Sequence, residues 1–254
     1  MALKIDVVLS VGEVEFAEGE FRLDFSGRLA IVVDVLRATT TITTALANNA
    51  HLVIPARDIA QAFELFAQYP QALLCGERNG LIIDGFHLGN SPRDYTAERI
   101  SGRTLIFSTT NGTRALNLAK GAKLLLLACF NNVSAVAQKA LGNLRNIPEE
   151  EIIMLCSGKL GRFCIEDAVC CGCLTANLVA CQEQISEDIE LTEGAKTAVE
   201  LYNMHKNDLL SLLISCQHGH YLTTLGLLPD LEYASKVNSI STVPVFFNGN
   251  ISLL

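Results

Sequence analysis

The chain has 254 residues, half of them hydrophobic and only 18% charged, which suits a full apolar core and excludes a disordered or low-complexity protein. Its 27 acidic against 19 basic residues give a net charge of −8, and no Lys/Arg run stands out, so a nucleic-acid backbone is excluded as a partner. No apolar run reaches the ~18 residues of a membrane helix, and Met1-Ala-Leu-Lys-Ile-Asp does not begin a secretory signal, so no membrane is expected and the cytoplasm is the expected location.

Arg28 to Asp34 (RLAIVVD) is a β-branched run that fits a strand buried on both faces. Val35-Leu36-Arg37-Ala38-Thr39-Thr40-Thr41 leads into an Ala-rich helix ending near Asn48-Asn49. His51 to Pro55 reads as a strand, Asp58 to Tyr69 carries Ile59, Ala62, Phe63 and Phe66 at helical spacing, and Ala72 to Cys75 is a third strand. Gly76 to Tyr95 then shows no periodicity, a length that inside a compact domain marks a functional loop. Thr104 to Ser108 is a strand, Thr109 to Thr113 a turn, and Arg114 to Ala119 the start of a helix. Lys123 to Ala128 and Ile152 to Cys156 are strands, with helices over Val133 to Leu144 and Ile165 to Cys181. Thr192 to Leu227 reads as all helical, and Val243 to Phe247 as a last strand. The alternation predicts an α/β protein with a mixed, largely parallel sheet and helices on both faces, one compact domain over 1–254 with a helical C-terminal segment.

In such sheets ligands sit beyond the carboxyl ends of the strands, and three of these ends are rich in polar residues. At the first, Asp34 closes an apolar strand, Arg37 offers a planar fork to an anion, and Thr39 or Thr40 could cap the next helix. At the second, Ser108-Thr109-Thr110-Asn111-Gly112-Thr113 places hydroxyls and an amide where a strand turns into a helix whose free N–H groups favour phosphate. At the third, Ser157-Gly158 precedes Glu166-Asp167. These acids either complement the helix dipole or join Asp34 around a cation, for which Glu77 and Asp230 are further candidates.

Nine cysteines, an odd number, read as reduced thiols. Cys156, Cys164, Cys170, Cys171 and Cys173 lack the paired spacing of a zinc or iron–sulfur site, and Cys170, Cys173 and Cys181 share a helix face as small buried hydrophobes. Cys156 to Arg162 has the C-x5-R spacing of cysteine-dependent phosphatases, but Lys159 stands where their best-known form has Gly, and no His precedes the Cys. A haloacid-dehalogenase reading of Asp34 wants a second Asp at the position of Leu36.

Asp34-Val-Leu-Arg-Ala-Thr, Gly76-Glu77, Gly89-Asn-Ser-Pro, Thr109-Thr-Asn-Gly-Thr, Ser157-Gly158 with Glu166-Asp167, and His218-x3-Leu222-x2-Leu225-Gly226-x3-Asp230 occur in that order. Together they resemble the 2-phosphosulfolactate phosphatase family, from about Asp34 to Pro244. The resemblance implies a cytoplasmic, Mg²⁺-dependent α/β phosphatase that converts 2-phosphosulfolactate and water to sulfolactate and phosphate, an activity of coenzyme M biosynthesis. Two positions depart from the family pattern: His87 replaces its usual Asp, and Cys171 its usual Ala before Gly172.

The expected catalytic residues are Asp34, Arg37, Glu77 and His218, the last as general acid. Thr39, Asn90, Ser91, Thr109, Thr110, Asn111, Gly112, Thr113, Ser157 and Gly158 are expected to bind substrate, and Asp34, Glu166, Asp167 and Asp230 to hold Mg²⁺. Arg78, Arg93, Arg114 and Arg162 are candidates for a second anionic group of a small phosphorylated substrate. The alternative is a phosphometabolite-binding or regulatory protein without turnover. A homodimer is left open.

Overall fold

The computed structural model describes residues 2–12, 23–110, 112–182 and 188–253. It begins with a strand absent from the predicted elements, β1 (Leu3–Val8), in which Leu3, Ile5 and Val7 are buried while Lys4 is exposed. The apolar run before Asp34 is β2 (Leu29–Val33), with all five side chains inaccessible, as suits a strand covered on both faces. It leads into α1 (Ala38–Ala47). Then come β3 (Leu52–Pro55), α2 (Ile59–Gln68), whose N-cap Asp58 accepts from the Gln61 N–H, and β4 (Leu73–Arg78).

Part of the expected loop over 76–95 is a hairpin. β4 continues through Glu77, turns at Asn79-Gly80, where both φ values are positive (53° and 76°), and returns as β5 (Leu81–Ile82). An Asn-Gly pair adopts that tight turn readily, and it brings Glu77 and Gly80 together.

α3 (Ala97–Ile100), β6 (Thr104–Ser108), α4 (Gly112–Ala119), β7 (Leu124–Ala128), α5 (Val133–Asn143), β8 (Glu151–Cys156) and α6 (Ile165–Gln182) follow. The helical C-terminal segment comprises α7 (Glu193–His205), α8 (Leu209–Ser215), α9 (Gln217–Thr224) and α10 (Leu228–Ala234), preceded by the short strand β9 (Ile189–Leu191). The expected last strand is half of a hairpin, β10 (Val245–Phe247) with β11 (Asn250–Ser252).

The eleven strands form one mixed sheet in the order β5-β4-β6-β3-β11-β10-β7-β2-β8-β1-β9. β7, β2, β8, β1 and β9 run parallel to one another, as do β3, β6 and β4. Between these blocks the β10–β11 hairpin makes three successive antiparallel pairings, so the blocks run in opposite senses. Sheet twist, roughly 20–25° per strand, turns them back toward each other.

Alternation along the strands divides the core. Leu29, Ile31 and Val33 of β2 pack with Met154 of β8 and the helices α5 to α10, while Ala30 and Val32 pack with Leu105 and Phe107 of β6 and with α1 and α4. Helices therefore cover both faces. No helix among the described residues is long and apolar enough to cross a membrane.

Candidate active site

β2 delivers Asp34 to the sheet edge, 7% exposed, where its Oδ1 accepts from the Ala38 N–H at 3.1 Å and so opens α1. Thr39 fixes Asp34 from behind: its hydroxyl accepts from the Asp34 N–H at 3.0 Å and donates to the Asp34 carbonyl at 2.9 Å. The Thr40 hydroxyl donates to the Val35 carbonyl. Neither threonine caps α1 with its side chain, because both hydroxyls are committed to the strand end. Thr39 thus acts on the position of Asp34 through its hydroxyl.

Arg37 is buried in the same turn. Its Nη1 donates to Asp230 Oδ2 at 2.7 Å and its Nη2 to the Gly80 carbonyl at 2.6 Å. Asp230 Oδ1 in turn accepts from Ser91 Oγ at 2.7 Å. Two residues expected as metal ligand and substrate contact therefore hold the guanidinium in place. Asn90 follows the same loop, with its carbonyl accepting from Thr41 Oγ1.

Glu77 comes from the oppositely running block. Its Oε1 accepts from the Thr110 N–H and hydroxyl at 3.0 and 2.9 Å, and its Oε2 from the Gly80 N–H at 2.8 Å. Arg78 turns to Ser108, donating to its Oγ at 3.0 Å. α4 begins against Asp34: a Cβ added to Gly112 would stand 2.7 Å from Ala38 Cβ and 3.1 Å from Asp34 Oδ2, so only glycine allows this approach. Thr113 is buried in the first turn of α4. Asn111 lies outside the described residues.

At the third strand end, Asp167 ties the loop to its neighbour, with Oδ1 accepting from the Val35 N–H and Oδ2 from the Gly158 N–H. Gly158 has φ +62°, and a Cβ there would lie 2.2 Å from the Arg162 carbonyl oxygen. Glu166 is buried, with Oε1 3.9 Å from His218 Nδ1. Asp34, Leu36, Arg37, Glu77, Gly80, Asn90, Thr109 and His218 line one small polar cavity. It adjoins a cleft whose wall shares Glu77, Gly80 and His218 and adds Thr110, Lys159 and Tyr221.

Burial, helped by the negative charges of Glu77 and Glu166 and opposed by the Ala38 N–H and Arg37, leaves Asp34 raised to about 7. Burial also raises Asp167 well above the carboxylate range, with added repulsion from Asp34 and Glu166. Glu166 is raised mainly by burial. For His218 burial works the other way, with the charges of Lys159 and Arg37, and its pKa falls to about 4. Its imidazole is therefore neutral at pH 7, a hydrogen-bond donor and acceptor rather than the charged acid expected from an unperturbed histidine.

Among the described residues no three His, Cys, Asp or Glu side chains form a ready cage for a metal ion. Mg²⁺ does not require one, since it keeps waters and typically takes one or two carboxylates with phosphate oxygens. Asp34 and Glu166, whose charge is near enough to raise the pKa of Asp34, are the carboxylates that could hold it. Three buried side-chain oxygens lack hydrogen-bond partners, Asn90 Oδ1 and Thr109 Oγ1 of residues lining the cavity and Ser157 Oγ just after β8, and provide hard oxygen donors. Such donors suit a hydrated dication or phosphate.

The other candidates separate clearly. Cys156 is fully buried, with its Sγ 3.5 Å from Cys171 Sγ, and Arg162 is exposed, so the C-x5-R pair forms no thiolate cradle. Cys171 is core, beside Gly172, where a Cβ would meet the Ala198 carbonyl of α7 at 2.0 Å. His87 Nδ1 accepts from the Leu74 N–H and its ring leans on Phe66, so this departure from the family pattern faces β4. Arg93 is exposed, and Arg114 lines a neighbouring cavity with Thr109 and Thr110. Lys159 and Tyr221 were not among the expected site residues; only the lysine's place after Ser157-Gly158 hinted at it.

A model of the 2-phosphosulpholactate phosphatase family matches residues 17–249. A probable 2-phosphosulfolactate phosphatase of Symbiobacterium thermophilum is 38% identical over 233 residues, 91% of this chain and 96% of that one. Proteins of the same description from Clostridium perfringens strain SM101 and Clostridium acetobutylicum are 40% and 34% identical, each across 98% of this chain and 96% and 100% of theirs.

Proposed function

The chain belongs to the 2-phosphosulpholactate phosphatase family, a family of phosphoric monoester hydrolases, and from that membership we propose that it hydrolyses 2-phosphosulfolactate to sulfolactate and phosphate with the help of Mg²⁺. The observation that carries this reading is the cavity where buried carboxylates, a fixed guanidinium and unpartnered oxygens meet.

Arg37, held by Asp230 and Gly80, has its remaining N–H groups for phosphate oxygens, and a preorganised fork needs no rearrangement as charge moves onto them. Thr109 Oγ1 and the first turn of α4 add further donors. Asp34 and Glu166 would hold Mg²⁺, which when bound supplies charge neutralisation at the phosphate and offsets the repulsion between these acids. Glu77 is held by Thr110 and Gly80 and orients the turn that carries Thr109. Neutral His218 offers a proton donor or acceptor beside the leaving oxygen.

Phosphate release from 2-phosphosulfolactate, measured with Mg²⁺ and after EDTA, tests the reading. Release that requires the metal is expected. Tight binding of the ester without release would instead make the chain a phosphometabolite-binding protein.

A further inference from the structure

Beside the polar cavity, the cleft lined by Glu77, Asn79, Gly80, Lys159, His218 and Tyr221 among others carries a cation that the phosphate chemistry does not use. Lys159 sits at the tip of the β8–α6 loop, which is built to hold it. Its N–H donates to the Arg162 carbonyl and the Arg162 N–H returns to its own carbonyl, both at 3.0 Å. Ser10 Oγ pins the loop from beneath through the Gly161 carbonyl at 2.6 Å. The ammonium lies 4.8 Å from the centre of the Tyr221 ring. Tyr221 is fixed in turn by donating its hydroxyl to the Asn79 carbonyl at 2.9 Å, which joins α9 to the β4–β5 turn.

Among the described residues no carboxylate lies within ion-pair distance of Lys159, in a chain with an excess of eight acidic charges. A cation–π contact leaves the ammonium's hydrogen-bonding capacity largely free. None of the Arg candidates for this duty lines the cleft: Arg78 is turned to Ser108, Arg93 and Arg162 are exposed, and Arg114 lines the neighbouring cavity with Thr109 and Thr110.

We propose that Lys159, steadied by Tyr221, is a specificity-determining residue that binds the substrate's second anionic group, a sulfonate or carboxylate, while its phosphate occupies the cavity at Asp34 and Arg37. The inference rests on the phosphatase reading above. The two subsites share Glu77, Gly80 and His218 as a common wall, so they adjoin, as two anionic groups of one small substrate require.

The test compares wild type, Lys159→Gln and Lys159→Arg on three esters: 2-phosphosulfolactate, 2-phospholactate and glycerol 2-phosphate. Losing one charge-assisted hydrogen bond should raise KM about tenfold or more for the esters whose extra anion Lys159 binds. The sulfonated ester alone is affected if the sulfonate is the partner, and both acids if it is the carboxylate. The glycerol ester should change several-fold less, kcat should fall less than KM rises, and Lys159→Arg should recover part of the loss. An equal penalty on all three esters, or no penalty, would overturn the proposal. Should wild type hydrolyse none of the esters, the phosphatase reading fails. Calorimetry with sulfolactate then decides the subsite: equal affinity of wild type and Lys159→Gln, or no binding by either, overturns it, and weaker binding by the variant supports it.

Discussion

Arg37 and Asp230 lie 193 residues apart in the chain and 2.7 Å apart in the fold, both almost wholly buried. A buried charge left without its partner costs about 3–5 kcal/mol. Asp230→Ala should therefore lower the Tm by many degrees and loosen the guanidinium. Asp230→Asn keeps an acceptor for Ser91, and should fold better yet lose roughly tenfold or more in kcat/KM. Thermal melts and phosphate release on both variants separate these effects. Full activity in Asp230→Asn would show that Arg37 needs no anionic partner.

Asp34→Asn should fold and lose phosphate release by about a thousandfold, since charge placed for the transition state is the main term in such sites. Circular dichroism and steady-state assays would show the two outcomes separately.

Gly112→Ala tests the close approach of α4. The added methyl meets Ala38 and Asp34, so the helix start must retreat by some tenths of an ångström. A misplacement of that kind should cost about 10–100-fold in kcat/KM with a small change in Tm.

EDTA should stop turnover, and iodoacetamide should leave it intact. Cys156 and Cys171 are fully buried. Burial also pushes Cys75 and Cys216 up to about 12 and Cys129 up to about 11, so little thiolate exists at neutral pH. Inactivation by iodoacetamide with protection by phosphate would return the thiol mechanism to consideration.

Glu151 provides the pH test. Burial would raise its pKa, but hydrogen bonds from Lys4, 2.8 Å away, and from Arg28 outweigh that and hold it below the usual carboxylate range. A depressed folded pKa gives stability that is complete above about pH 4.5 and disappears as pH falls through the folded value. Glu151→Gln should thus melt a few degrees below wild type at pH 7, with the gap closing below pH 4.

Much of this fold is legible because the strands flanking the site are continuous apolar runs: the five residues of β2 announce a covered strand, and Asp34 after them announces its exposed end. β1 is less legible, since Lys4 and Asp6 interrupt it and its partners are 151–155 and 189–191, far along the chain. The three strand ends were recognisable from their hydroxyls and acids. Which acid does what was not, because that depends on distant partners: Asp230 reads as a ligand until Arg37 and Ser91 occupy its oxygens, and Asp167 until it closes on Val35 and Gly158. Lys159, in a loop, gains meaning only when Tyr221 of α9 comes beneath it.

The strand pairing that joins the two blocks is short, though Ala30 and Val32 share a core with Leu105 and Phe107 across it. Val245 and Phe246 meet Leu126 and Leu125 on one side, and Ile251 meets Val53 on the other. Asp34 and Glu77 belong to different sides of that join. Gentle heating that parts it would silence the enzyme while most helices and strands remain intact, so inactivation would run ahead of melting.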